Sequence, residues 1–215
     1  MKNIAVITGD IIASSRLNKA DRKKLPSLLK NCFSGLTKYY KKSLEGNIDI
    51  FGGDSYQFVV NDIGKSLIVA LSYRLLLKSG TYGFGLDTKI SIGIGGIDFI
   101  KKNKISESDG DAFRLSGRNL ELIDKKSNMT FTFPGFSQHD EFSIFVVLAD
   151  ELVVRYTEKQ ALAVFGALAG LNQEGISKLW KPAIKQQSVS KHLNNAGYFA
   201  LEKLLNYYEH RLHSL

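Results

Sequence analysis

At 215 residues the chain is long enough for one sizeable domain or two small ones, at roughly 150 residues per domain. With 44% hydrophobic and 11% aromatic residues and only 3 prolines it can bury a core of its own, which excludes wholesale disorder. A lone cysteine, Cys32, excludes an intramolecular disulfide, and together with 4 histidines it excludes a structural zinc site of the Cys/His type. The net charge of +8 points toward a polyanionic partner, although where the charge sits matters more than its sign.

The first strand is expected at Ile4-Ala5-Val6-Ile7, a β-branched run ended by Thr8-Gly9-Asp10. That apolar run is shorter than the about 7 to 15 residues of a signal-peptide core. The longest low-polarity stretch, residues 161–171, falls short of the roughly 20 residues needed to span a bilayer. The expectation is a cytoplasmic protein with no membrane partner. From Ala20 the spacing of Leu25, Leu28, Leu29, Cys32, Phe33, Leu36, Tyr39 and Tyr40 is that of an amphipathic helix, closed by Gly46 and Asn47. Two short strands, 48–51 and 56–60, flank Gly52-Gly53-Asp54-Ser55 and read as a hairpin. Next come a helix over 63–78, a strand over 89–97 with alternating Ile90, Ile92 and Ile94, a helix over 110–125 and a strand over 129–133. The apolar face of the helix over 110–125 is read as Phe113, Leu115, Leu120, Leu122 and Ile123. This order predicts an α+β sandwich of the ferredoxin-like type.

After Pro134-Gly135 the character changes. The boundary is expected at 137: an α+β domain over 1–137, a connecting segment over 138–156 built on a helix at 140–155, and an all-α domain over 157–215. Thr157 with Gln160 reads as a capping box. No acidic residue occurs from 175 to 201, while Lys178, Lys181, Lys185 and Lys191 all fall there. Residues 173–179, a turn at Lys181-Pro182 and residues 184–193 resemble the helix-turn-helix of bacterial transcription regulators, with Ile176, Leu179, Ile184, Val189 and Leu193 as core. Lys185, Gln186, Gln187, Ser188, Ser190 and Lys191 then face outward at the start of the second helix, where such side chains reach base edges and phosphates of double-stranded DNA. The plainer alternative is the solvated face of an all-α dimerisation module. The turn from Leu179 to Val189 is about two or three residues longer than is usual in that motif. The aromatic tail with Tyr198, Phe199, Tyr207 and Tyr208, and the apolar helix from Phe142 to Val154, are the expected seams of a homodimer.

In the front part, Asp10 after the first strand and Asp54 at the hairpin tip could lie side by side, and two carboxylates with a backbone carbonyl from Ile11 would suit Mg²⁺. Both residues also suit turns beside glycine. Thr8-Gly9-Asp10-Ile11-Ile12, Phe51-Gly52-Gly53-Asp54-Ser55-Tyr56, Ser91-Ile92-Gly93-Ile94-Gly95-Gly96 and the run from Asp109 to Arg118 resemble, in order and spacing, the class III nucleotidyl cyclases and GGDEF diguanylate cyclases. With the helix-turn-helix, the whole chain resembles the SatD family of small bacterial proteins. That resemblance implies a nucleotidyl cyclase-type fold, Mg²⁺ on Asp10 and Asp54, and a nucleotide ligand near Gly53, Arg114 and Arg118. Arg114 and Arg118, four apart on one helix, also read as a solvated face. The sequence departs from the cyclase pattern: Arg114 replaces the ribose-orienting asparagine, Ile50 the base-reading lysine, and Ser55-Tyr56 the Glu-Phe of GGDEF. Loss of these positioning groups should remove several kcal/mol of transition-state stabilisation, so no catalytic residue is assigned. The function expected is a DNA-binding transcription regulator whose cyclase-like domain binds a ligand or dimerises. The alternatives are an active Mg²⁺-dependent cyclase or nucleotidyltransferase, and an interaction protein with neither activity.

Overall fold

β1 (Ile4–Ile11) alternates its side chains between two apolar layers and is buried along almost its whole length, which makes it the central strand. It pairs antiparallel with β3 (Ser55–Val60) on one side and with β4 (Thr88–Gly95) on the other. β2 (Leu44–Phe51) lies outside β3, and β5 (Met129–Thr132) runs parallel to β4, giving the order β2-β3-β1-β4-β5. A parallel neighbour requires a crossover, and α3 (Asp111–Glu121) supplies it between β4 and β5. The computed structural model describes residues 3–135 and 139–214. The boundary expected at 137 and the start of the connecting segment at 138 lie outside the described residues.

One face of the sheet, with Ala5, Ile7, Phe58, Ile90, Ile92 and Phe131, forms a single hydrophobic cluster with five helices. These are α1 (Lys19–Tyr40), α2 (Ser66–Lys78), α4 (His139–Val154), α5 (Glu158–Leu168) and α8 (Tyr198–His213). The cluster thus runs across position 137 and takes in Phe142, Val146, Leu201, Leu205 and Tyr208. α2 is buried on nearly every side because α5 covers the face it turns away from the sheet. Polar bonds fasten α4 as well. The buried Arg74 guanidinium on α2 donates to Asp87 at 2.6 and 3.2 Å and to Asp150 of α4 at 2.6 Å. Asp150 also accepts from Ser127 Oγ at 3.0 Å and from the Asn128 N–H at 2.6 Å, so the segment before β5 joins the same network.

The opposite face carries a smaller cluster in which Ile4, Val6 and Val59 meet Ala112 and Phe113 of α3. α3 sits close to the strand: a Cβ at Gly93 would lie 2.6 Å from the Ala112 carbonyl oxygen and the Ser116 nitrogen. Its buried positions are therefore Ala112, Phe113 and Ser116, and Leu122, expected on the apolar face, is 71% exposed. The helix ends at Glu121 rather than 125. Gly46 and Asn47 do not close a helix either. α1 stops at Tyr40, a short 3₁₀ turn follows, and β2 begins at Leu44, with Gly46 and Asn47 in a register shift between Glu45 and Asp49.

Beyond α5, α6 (Gln173–Ser177) and α7 (Gln186–Asn195) pack against it around buried Ala163, Ile176 and Val189, with Ile184, Leu193 and Trp180 alongside. Local bonds fix each start. Thr157 and Gln160 form the reciprocal capping box of α5, and Asn172 Oδ1 accepts from the Gly175 N–H at 2.8 Å to cap α6.

Candidate functional site

On the α3 side of the sheet every second strand residue faces outward, and α3 covers only the part where Gly93 and Gly95 stand. Past its last turn a cleft of about 480 Å³ opens, floored by Thr8, Asp10, Ser55, Gln57 and Lys89 and walled by Phe51 and Glu121. Register explains this floor, since Asp10 pairs with Ser55 on one side and Lys89 on the other, and Thr8 pairs with Gln57. Its hydrogen bonds run in one direction. Gln57 Nε2 donates to Thr8 Oγ1 at 2.8 Å, Thr8 Oγ1 donates to Ser116 Oγ at 2.8 Å, and Ser116 Oγ donates to the Phe113 carbonyl at 3.1 Å. Ser55 Oγ donates to Asp10 Oδ1 at 2.7 Å.

Of the front-part residues singled out in the sequence, Asp10 lines this cleft. Asp54 lies at the same end of the sheet, where its backbone carbonyl accepts from the Ile11 N–H at 3.2 Å and its carboxylate accepts from Ser14 Oγ at 2.5 Å. Gly53 occupies the hairpin turn with φ +94°. Arg114 lies outside the cleft, donating to Asp109 at 2.8 Å, Asp111 at 3.2 Å and Asp98 at 3.3 Å. Arg118 is exposed one turn further along α3 and also outside the lining. The Gly9 of Gly9-Asp10 answers a packing demand, because a Cβ there would lie 2.3 Å from the Tyr56 ring. Mg²⁺ calls for hard oxygens directed at one point. Asp10 and Asp54 are of that chemistry, but each is engaged by its own serine and only Asp10 faces the cleft. Among the described residues no group of three or more His, Cys, Asp or Glu side chains could hold a metal ion, so Asp10 and Asp54 would be the carboxylates to hold one here.

Sequence reasoning missed Thr8, Gln57 and Lys89 as floor residues, and treated Ser55 only as a departure from a motif. The signal was present: Thr8 and Asp10, and Ser55 and Gln57, put polar side chains at every second position of strands that are otherwise apolar.

A second surface lies on α7. Lys185, Gln186, Gln187 and Lys191 are exposed, Ser188 and Ser190 are half-buried, and Val189 between them is fully buried. The nearby Lys178 is neutralised by Glu174 at 2.6 Å, whereas Lys181, Lys185 and Lys191 have no carboxylate partner among the described residues. Trp180, in the turn before α7, stacks on His192 with ring centroids 6.0 Å apart and planes 14° from parallel.

No protein-family model matches the chain, and no curated protein matches it. Among solved structures it is similar to a guanylyl cyclase, at 16% identity over 60% of this chain and 74% of that one, TM-score 0.41. It is also similar to the catalytic core of a rhodopsin-guanylyl cyclase in complex with ATPαS, at 17% identity over 61% and 77%, TM-score 0.45. A third is an adenylyl cyclase from P. aeruginosa, at 17% identity over 65% and 81%, TM-score 0.38. No described helix is long and apolar enough to cross a membrane.

Proposed function

We propose that the chain is a DNA-binding regulator of the kind the SatD resemblance implies, which reads the major groove of duplex DNA with the start of α7. One observation carries this reading. Val189 anchors α7 to α5 and α6 while Lys185, Gln186, Gln187 and Lys191 stay exposed in a stretch free of acidic residues. The buried side fixes the helix, and the outward side offers donors and acceptors without a repelling carboxylate. A labelled duplex pool titrated at 50 and 200 mM salt tests it. Affinity falls steeply with salt through counterion release. Lys185→Ala weakens binding to every sequence and lowers the salt slope by about 1, whereas Gln187→Ala relaxes preference at one base position by about 1–3 kcal/mol. A protein that binds no duplex at 50 mM salt removes the reading.

In this proposal the α+β part over 1–137 is a ligand-binding or dimerisation module, with a nucleotide the ligand its cleft would take. The hydrogen-bonded polar floor supports binding. The engagement of Arg114 by Asp98, Asp109 and Asp111, at the position where the cyclase resemblance expects a ribose-orienting asparagine, speaks against a working cyclase. Calorimetry with ATP and GTP on the wild type and Asp10→Asn checks this, with heat expected only from the wild type and pyrophosphate release from neither. A second copy of the chain completes the reading, because one small recognition helix buries too little surface for tight specific binding and paired helices read half-sites about one helical turn apart.

A further inference from the structure

Away from both surfaces, a cleft of about 530 Å³ opens between the turn after α2 and the helices around α7. One wall is Thr81 and Tyr82, and the other is Lys159 and Leu162 of α5 with Trp180 and Lys181. Its volume is in the range that holds small organic ligands. The two rings are held from behind. The Tyr82 hydroxyl lies against α1 at Gly35, where a Cβ would come within 2.2 Å, and Trp180 is backed by the His192 ring. Lys159 and Lys181 are exposed with no carboxylate partner among the described residues. Against these two lysines the lining sets one carboxylate, Glu158, which leaves a single unbalanced positive charge. The same corner acts on His192, whose pKa is depressed by burial and then by the charges of Lys159 and Lys191.

We infer that this cleft binds a planar aromatic monoanion, an aromatic carboxylate, with its ring between Tyr82 and Trp180 and its carboxylate toward Lys159 and Lys181. Rigid aromatic walls favour a flat ring, and the single unbalanced positive charge of the lining is matched by one carboxylate. The site itself stands apart from the DNA reading. Its regulatory consequence rests on that reading: Trp180 and Lys181 lie just before α7, so a ligand bridging them to the turn after α2 would bias the position of α7. DNA would then change ligand affinity by the same factor as the ligand changes DNA affinity.

The test uses the full chain with 2-naphthoate as probe and its uncharged twin 2-naphthylmethanol as control, followed by calorimetry and by NMR of the one tryptophan indole N–H in the sequence. Naphthoate is expected to give saturable heat and a saturable shift of the Trp180 signal. The uncharged twin, and the double variant Lys159→Gln/Lys181→Gln, should each bind about tenfold more weakly. Both lysines are exposed, so the variant should melt at the wild-type temperature. Absence of saturation, equal binding of the uncharged twin, full affinity in the double variant, or heat without movement of the Trp180 signal would each overturn the inference. A duplex-binding arm separates the two readings: naphthoate binding without duplex binding removes only the DNA reading, and the reverse removes only this cleft.

Discussion

Tyr156 and Ser91 each bury a hydroxyl oxygen with no hydrogen-bond partner among the described residues. An unmade buried hydrogen bond carries the desolvation penalty of the group without its return. Burial also pushes the Tyr156 pKa up to about 12. Tyr156→Phe and Ser91→Ala should therefore each raise stability by about 1 kcal/mol in urea unfolding. Arg74 is the converse case, a buried charge that is fully paired. Asp150→Ala should destabilise by about 3–5 kcal/mol, since it leaves the guanidinium half-neutralised and the Asn128 N–H without its acceptor. Burial alone would raise the Asp87 pKa, but the hydrogen bonds and charge of Arg74, with Lys78, outweigh it and hold the carboxyl below its usual value. That contribution is complete above the unfolded value, about pH 4, and is lost as pH falls through the lower folded value. Unfolding midpoints measured from pH 6 to pH 2 should drop for the wild type below about pH 4 and change less for Asp87→Asn. None of this network was legible in the sequence, because Asn128 and Asp150 lie far from Arg74 along the chain and each member looks like an ordinary surface residue.

The elements that could be read from the sequence were those with a strong period. α2 and β4 stand where helical spacing and alternation put them, to within three residues, and β1 and α1 start where expected, although β1 runs on to Ile11 and α1 stops at Tyr40. α3 escaped in part because its packing side is set by what it meets. Ala112 and Ser116 face the strand because β4 has glycine at Gly93 and Gly95, and Leu122 is left in solvent. Glycine at alternate strand positions was itself a sign of close backbone approach. Gly93→Ala should cost about 1–3 kcal/mol, visible as a lowered unfolding midpoint, because the new methyl meets backbone rather than a side chain that can turn away. α7 stands within two residues of the second helix expected over 184–193. The Asp10 cleft was half found, since Asp10 was identified by motif while Thr8, Gln57 and Lys89 depend on strand register that no single segment reveals.

Taken as a molecule, the described residues leave a large apolar area uncovered on α4 and α8. α4 buries Phe142, Val146, Ala149 and Val153 and presents Ile144, Val147, Leu148 and Val154 to solvent, so it is apolar on both sides. Phe199 and Tyr207 of α8 extend that area, and a groove of about 530 Å³ runs between the two helices, edged by Glu151, Arg155 and Lys203. Large contiguous apolar patches of this kind mark surfaces that another surface covers. A second copy seated there would bring two α7 helices into one assembly, as the DNA reading requires. Leu148→Glu and Phe199→Glu should convert a dimer to a monomer in sedimentation and weaken duplex binding, with little change in the melting temperature because both side chains are exposed in the single chain. A wild type that sediments as a monomer at high concentration, with and without duplex, would remove the dimer. The composition change after Pro134-Gly135 pointed to a two-part chain. The hydrophobic cluster through α4 and α8 was not visible there, because helices that cover a sheet and helices that pack on each other share the same spacing.

The order of manufacture matters for such a core. A ribosome completes all five strands before it reaches α4, yet the cover over Phe131 and Phe142 includes Tyr208 of α8, whose ring meets theirs at 6.0 and 5.2 Å and whose hydroxyl hydrogen-bonds Ser66 at 2.8 Å. At about 5–20 residues per second, the nascent sheet waits on the order of several seconds for that lid. During this interval the Phe131 end of the sheet lacks part of its cover and stays exposed, while α1 and α2, made earlier, already pack on the same face. A premature stop ahead of α8 would make that exposure permanent.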